Sequence, residues 1–238
     1  MPERDLGRVK AVVFDVDGTL YRQGPLRRVM AGRLVRAHLL HPRRGRQTMR
    51  ALSAYRRAQE DLRTEPAAGD LAATQLRLAA ARSGVDDASV QAYVAVWMET
   101  APLDLLARLR QPGLEDLLRE LQSSGVRLAV LSDYEAGPKL DALGIARYFD
   151  VVVTAHQPDV GVFKPHPRGL QVALDRLGVE PADALYVGDR PDVDAAAAAA
   201  AGVPCFILCE PGRSTPPNPG SYMPITSFHD MRDRLVST

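Results

Sequence analysis

Apolar positions along the chain fall into three textures. The first is brief: Val9 to Phe14 is mostly apolar and β-branched, the pattern of a buried strand. The second runs from about Arg22 to Leu109 and has helical spacing. Leu26, Met30, Leu34 and Ala37 recur at intervals of four, four and three, and Val90, Tyr93, Val94 and Trp97 repeat the pattern. Asp86 to Ser89 supplies a helix start, while Pro42, Gly45, Pro66, Gly69 and Gly84 divide the stretch into about four helices. The third texture begins at Pro112 and alternates. Strands are expected at Arg127 to Ser132, Asp150 to Thr154, Ala184 to Gly188 and Val203 to Cys209. Helices are expected at Gly113 to Ser124, Gly137 to Leu143, Pro167 to Leu177 and Asp192 to Ala201, with Gly125 and Gly178 as C-terminal stops. A tail with Pro211, Pro216, Pro217 and Pro219 reads as a loop, and a short helix near Phe228 to Leu235 ends the chain.

Continuous apolar strands alternating with helices imply an α/β fold, a doubly wound parallel sheet covered on both faces. The helical stretch interrupts it after the first strand. The expected division is a catalytic core of residues 1–21 plus 110–238 and a helical insert of residues 22–109. The alanine run from Ala195 to Ala201 is expected to bring a helix close to the sheet.

Charge adds an asymmetry. Residues 22–63 hold twelve arginines against Glu60 and Asp61, a net +10, which leaves the remainder at −9 for an overall +1. The insert therefore attracts anions, and the remainder can hold cations. Arg22, Arg27 and Arg28 are candidates to meet a substrate. A nucleic-acid role for Arg43, Arg44 and Arg46 is disfavoured, because no aromatic residues interleave with them. The charged start MPERDLGRVK lacks the apolar run of a signal peptide, and no stretch is apolar enough to span a membrane. Cys205 and Cys209 are too few for a disulfide framework and wrongly spaced for zinc, so a cytoplasmic protein with reduced thiols is expected.

In open α/β sheets the site lies at the carboxyl ends of the strands. There the sequence places Asp15 and Asp17, then Ser132 and Asp133, then Lys164, then Asp189, Asp192 and Asp194. Alternation along a strand is expected to send Asp15 and Asp17 toward one side. Clustered carboxylates repel one another, and burial raises that cost. A cation relieves it, and oxygen ligands without paired histidines favour Mg²⁺. Lys164 can hold a phosphate and a carboxylate, and Ser132 can hydrogen-bond a phosphoryl oxygen.

Asp15-Val-Asp17-Gly-Thr19-Leu, Ser132 ending a strand, Lys164 before a proline, and Gly188-Asp189-Arg-Pro-Asp192-Val-Asp194 occur in that order. Together they resemble the four motifs of the haloacid dehalogenase superfamily. The helical insert is similar to the α-helical cap of its phosphoglycolate-phosphatase and β-phosphoglucomutase branch. The resemblance implies Asp15 as the nucleophile that forms an aspartyl-phosphate, Asp17 as general acid and base, and Ser132 and Lys164 as further catalytic residues. It implies phosphate binding by Gly18, Thr19, Ser132, Asp133 and Lys164. It also implies Mg²⁺ held by the Asp15 carboxylate, the Asp17 backbone carbonyl and Asp189, with Asp194 supporting the site; Asp192 ranks below Asp194.

The resulting expectation is a phosphatase acting on a small phosphorylated metabolite, as a monomer or homodimer, without membrane or nucleic-acid partners. A phosphomutase of the same fold and a non-catalytic phosphate-binding regulator remain as alternatives. A dehalogenase needs neither Asp17 nor a metal, and the phosphonate-cleaving branch needs a cap lysine that residues 22–109 lack.

Overall fold

The computed structural model describes residues 9–209 and 222–236. Its centre is a six-stranded sheet in the order β3-β2-β1-β4-β5-β6, with every neighbouring pair parallel. The strands are β1 Ala11–Phe14, β2 Arg127–Ser132, β3 Val151–Thr154, β4 Ala184–Gly188, β5 Cys205–Leu208 and β6 Met223–Ile225. The last strand is not expected from the sequence, since three residues carry too little periodicity. The proline-rich tail read as a loop lies outside the described residues.

Each central strand is buried on both faces, and alternation sorts its side chains into two cores. Val12, Phe14, Leu128, Val130, Leu185 and Val187 share one cluster with α6 (Leu114–Ser123), α7 (Gly137–Leu143) and α10 (Phe228–Val236). Ala11, Val13, Ala129, Leu131, Ala184 and Tyr186 share the other with α8 (Arg168–Leu177) and α9 (Ala196–Ala200). The expected helix from Asp192 begins instead as a wide turn at Pro191–Ala195, and only then becomes α9.

Between β1 and α6 lie five helices: α1 (Gln23–His38), α2 (Pro42–Thr64), α3 (Leu71–Ser83), α4 (Asp87–Val94) and α5 (Leu103–Leu109). A wide turn, Ala95–Thr100, prolongs α4. Asp70 and Asp86 cap α3 and α4 by accepting from Ala73 N at 2.9 Å and Ser89 N at 2.8 Å. The insert has its own packing centre around Ala51, Ala54, Tyr55, Ala58, Ala79 and Val90, where small side chains let α2 and α3 approach. Leu26 of α1 and Leu106 of α5 instead join a core cluster of the sheet. The chain enters and leaves the insert at one crossing, an antiparallel bridge between Tyr21 and Arg110. There Arg22 N donates to Leu109 O at 2.9 Å and Gln111 N to Leu20 O at 3.0 Å. Among the described residues no helix is long and apolar enough to cross a membrane.

Candidate active site

The site forms where β1, β2 and β4 end together. Phe14 pairs with Val130 on one side and Val187 on the other, and Asp15 N donates to Val187 O at 2.8 Å. Two glycines allow the loops beyond to close. Gly18 has φ 103°, and a Cβ there would lie 2.3 Å from Asp189 Oδ2. A Cβ on Gly188 would lie 2.4 Å from Asp194 Cγ.

Lys164 is the hub. Its side chain is 4% exposed, and Nζ donates to Asp15 Oδ1 at 2.6 Å, Asp194 Oδ1 at 2.7 Å and Tyr186 Oη at 3.2 Å. Its three donors are thereby used. Burial works against the ammonium, but Asp15 and Asp194 hold its pKa well above the ordinary lysine value. Asp194 is equally committed. Oδ1 also accepts from Tyr186 at 3.0 Å, and Oδ2 accepts from Asp189 N at 3.1 Å and Arg190 N at 2.9 Å. Its lone pairs are filled by protein. Asp15 Oδ2 accepts from Thr19 at 2.9 Å, which leaves Asp15 with free lone pairs.

Carboxylate oxygens of Asp15, Asp189 and Asp194 lie within 4.8 Å of one another. Three carboxylates thus face one ammonium. Burial, with Asp194 next, pushes the Asp189 carboxyl up to about 7. Burial also raises Asp15 well above the carboxylate range despite Lys164, with Asp194 and Asp189 adding to it. Among the described residues no donor reaches the Asp189 carboxylate, so Asp189 and Asp15 have lone pairs open for a cation and Asp194 does not. This donor set fits a hard, oxygen-ligated divalent ion.

Asp17 faces other partners. Lys139 Nζ donates to both its oxygens at 2.7 Å, and the Tyr21 hydroxyl donates to Oδ1. Burial would raise its pKa, but Lys139, through charge and hydrogen bonds, and then Tyr21 hold it below the ordinary value. The two carboxylates line the same cleft but hold different lysines. The strand stops at Phe14, and the chain turns after Val16. Lys139 lies on α7 over one face of the sheet, while Lys164 precedes α8 on the other.

The loop after β2 joins the site to the insert. Asp133, expected to bind phosphate, has its carboxylate on Arg63 Nη2 at 2.6 Å and Gln59 Nε2 at 3.2 Å, both from α2. Arg63 also donates to Lys164 O at 2.6 Å. Nearby, Arg190 binds Glu60 at 3.1 Å and Asp192 at 2.6 Å. Asp192 is thus a surface partner of Arg190 and stands outside the carboxylate cluster. Ser132 is buried, and its hydroxyl accepts from Tyr134 N at 3.2 Å.

Above these groups opens a cleft of about 670 Å³. Asp15, Asp17, Lys139, Lys164 and Asp189 line it with the loops after β2 and β4, and helices of the insert line much of the remainder. Of the candidate arginines, Arg27 lines the cleft while Arg22 and Arg28 do not. Sequence reasoning missed Arg63, Tyr21 and Lys139. Lys139 had a signal, as one of three lysines beside twenty-seven arginines. Tyr21 and Arg63 had none, because their partners are fixed only by folding.

A parallel sheet with an aspartate after β1 held by a buried lysine is the setting in which the chain matches a class of hydrolases. The chain belongs to the haloacid dehalogenase-like hydrolase family, which it matches over residues 9–202. It is 32% identical over 202 residues to a glyceraldehyde 3-phosphate phosphatase of Methanopyrus kandleri, covering 82% of each chain. It is 33% identical over 215 residues to a phosphoglycolate phosphatase of Rhodospirillum rubrum, covering 84% of this chain and 79% of that one. Among solved structures, a 2-haloacid dehalogenase from Pseudomonas syringae superposes with a TM-score of 0.66 at 24% identity, over 96% of this chain and 99% of that one. At that identity the likeness concerns the fold alone.

Proposed function

We propose that the protein is a Mg²⁺-dependent phosphatase that hydrolyses a small phosphorylated metabolite through an aspartyl-phosphate on Asp15. The observation that carries this reading is the buried Lys164 bridging Asp15 and Asp194 while the Asp189 carboxylate stays open beside them. The relatives named as phosphatases support the reaction class. The two unpaired cysteines accord with a cytoplasmic setting.

Asp15 attacks phosphorus, a new O–P bond forms, and the ester P–O bond breaks with its electrons on the leaving oxygen. Asp17 gives that oxygen a proton, then takes one from the water that releases phosphate. With Lys139 in place Asp17 is a carboxylate, the form that serves the second step; acting as the acid requires release of that contact. Lys164 holds Asp15 in line and offers charge to the phosphoryl oxygens. Asp194, saturated by four donors, positions Lys164 and the Asp189 backbone. The Asp15 and Asp189 carboxylates, with the Asp17 backbone carbonyl, would hold Mg²⁺. When bound it neutralises charge on the transferring phosphoryl group. Gly18 and Thr19 shape the phosphate cradle, Ser132 closes its β2 side, and residues 22–109 serve as a cap over residues 1–21 and 110–238.

Release of phosphate from p-nitrophenyl phosphate tests the proposal. Turnover is expected with Mg²⁺, to vanish in EDTA, and to fall at least about 10⁴-fold in Asp15→Asn, as for loss of a nucleophile. Turnover indifferent to EDTA and to Asp15→Asn would remove the mechanism.

A further inference from the structure

The cleft has more room than a two- or three-carbon ester fills. Clefts of about 300–1,000 Å³ hold drug-sized ligands, and this one has a volume of about 670 Å³. The part lined by the insert is largely apolar: Met30, Leu34, Met49, Leu52, Trp97 and Met98. Met49 is 56% exposed and Trp97 is half-buried beside His38, ring centroids 5.8 Å apart, so part of this wall stays open although Met30, Leu52 and Met98 also pack against cores of the protein. Arg56 and Arg57 also face the cleft, and among the described residues neither makes an ion pair.

These residue types share one preference. Methionine sulfur and indole pack on ring faces and edges. Guanidinium planes stack on rings as well as binding anions.

We infer that the substrate is a phosphomonoester with a planar ring in its body, the phosphate at Asp15 and the ring against Trp97 and its methionine neighbours. This inference rests on the phosphatase reading and narrows it to ring-bearing esters, such as a nucleoside 5′-monophosphate or pyridoxal 5′-phosphate.

Trp97 is the single tryptophan, so its fluorescence reports the wall directly. Asp15→Asn protein with Mg²⁺ is titrated with adenosine 5′-monophosphate, pyridoxal 5′-phosphate and phosphoglycolate, and affinities are taken by calorimetry. At least one ring ester is expected to alter Trp97 emission and bind at least tenfold tighter than phosphoglycolate. In turnover, kcat/KM for that ester is expected to exceed that for phosphoglycolate and glyceraldehyde 3-phosphate at least tenfold. Trp97→Ala should shrink this preference, mainly through the ring ester, and Met98→Ala should do so in the same direction if the first variant folds poorly. Preference for the short esters, or equal losses on all esters in both variants, would overturn the inference. Failure of p-nitrophenyl phosphate turnover would instead overturn the reaction class, because the binding comparison does not depend on catalysis.

Discussion

Lys164 and Lys139 each hold one aspartate of the pair that follows β1, but under different conditions. Lys164 is 4% exposed and reaches two carboxylates and a phenol, while its backbone carbonyl is held by Arg63. Lys139 is 11% exposed and reaches one carboxylate, which is itself 24% exposed. The first lysine is built into the core with every donor assigned. The second sits at the cleft wall, where solvent screens the pair and a ligand can compete for it. In the mechanism we propose, the fixed lysine suits a group that must not move during phosphoryl transfer, and the other suits a group whose partner changes as a proton is exchanged.

The comparison breaks most severely at Lys164. Lys164→Met leaves Asp15 and Asp194 buried without their cation, and loss of one partner of a buried pair costs about 3–5 kcal/mol. Urea unfolding is expected to show a loss of that order, together with loss of p-nitrophenyl phosphate turnover. Unchanged stability would mean that the site is wetter than the geometry indicates. Arg63→Met comes next. It removes two charge-assisted bonds, for about 2–3 kcal/mol, and frees the backbone that presents Lys164, so kcat should fall between about ten- and a hundredfold. Adding Asp133→Asn should restore part of the stability but not kcat, since Lys164 O still lacks its donor.

Lys139→Met is expected to cost least, about 1 kcal/mol, because the pair is partly exposed. Its signature lies in pH. The Asp17 pKa is depressed in the fold, so the pair contributes stability above the ordinary carboxylate value, near 3.9, that is lost as pH falls through the lowered value. Urea unfolding from pH 6 downward should therefore show a shallower acid decline in the variant than in the parent. An identical decline would place the pairing outside the energetics of the fold.

Much of this was legible in the sequence, for identifiable reasons. The central strands are apolar on both faces, so Ala11 to Phe14 and Ala184 to Gly188 stand out against any neighbouring turn. Asp15, Ser132 and the Gly188–Asp189 step follow strand ends, and Lys164 is marked by the proline after it, so local order fixes their place. The partners across the cleft were not legible. Arg63 lies 70 residues from Asp133 and 101 from Lys164, and no local pattern distinguishes it from eleven other arginines of the same stretch. Asp15 and Asp17 line one cleft but hold different lysines, a division that alternation could not show because β1 ends at Phe14, before either aspartate.

The crossing at Tyr21 and Arg110 has a mechanical consequence. Both connections to the helices pass through this narrow neck, so a rotation of the helical body is concentrated in a few backbone torsions there. Tyr21 belongs to the neck, and its phenol also touches Asp17. A turn of the neck therefore moves the hydroxyl that helps set the proton affinity of Asp17, linking the attitude of the helices to a carboxylate of the cleft through a single side chain.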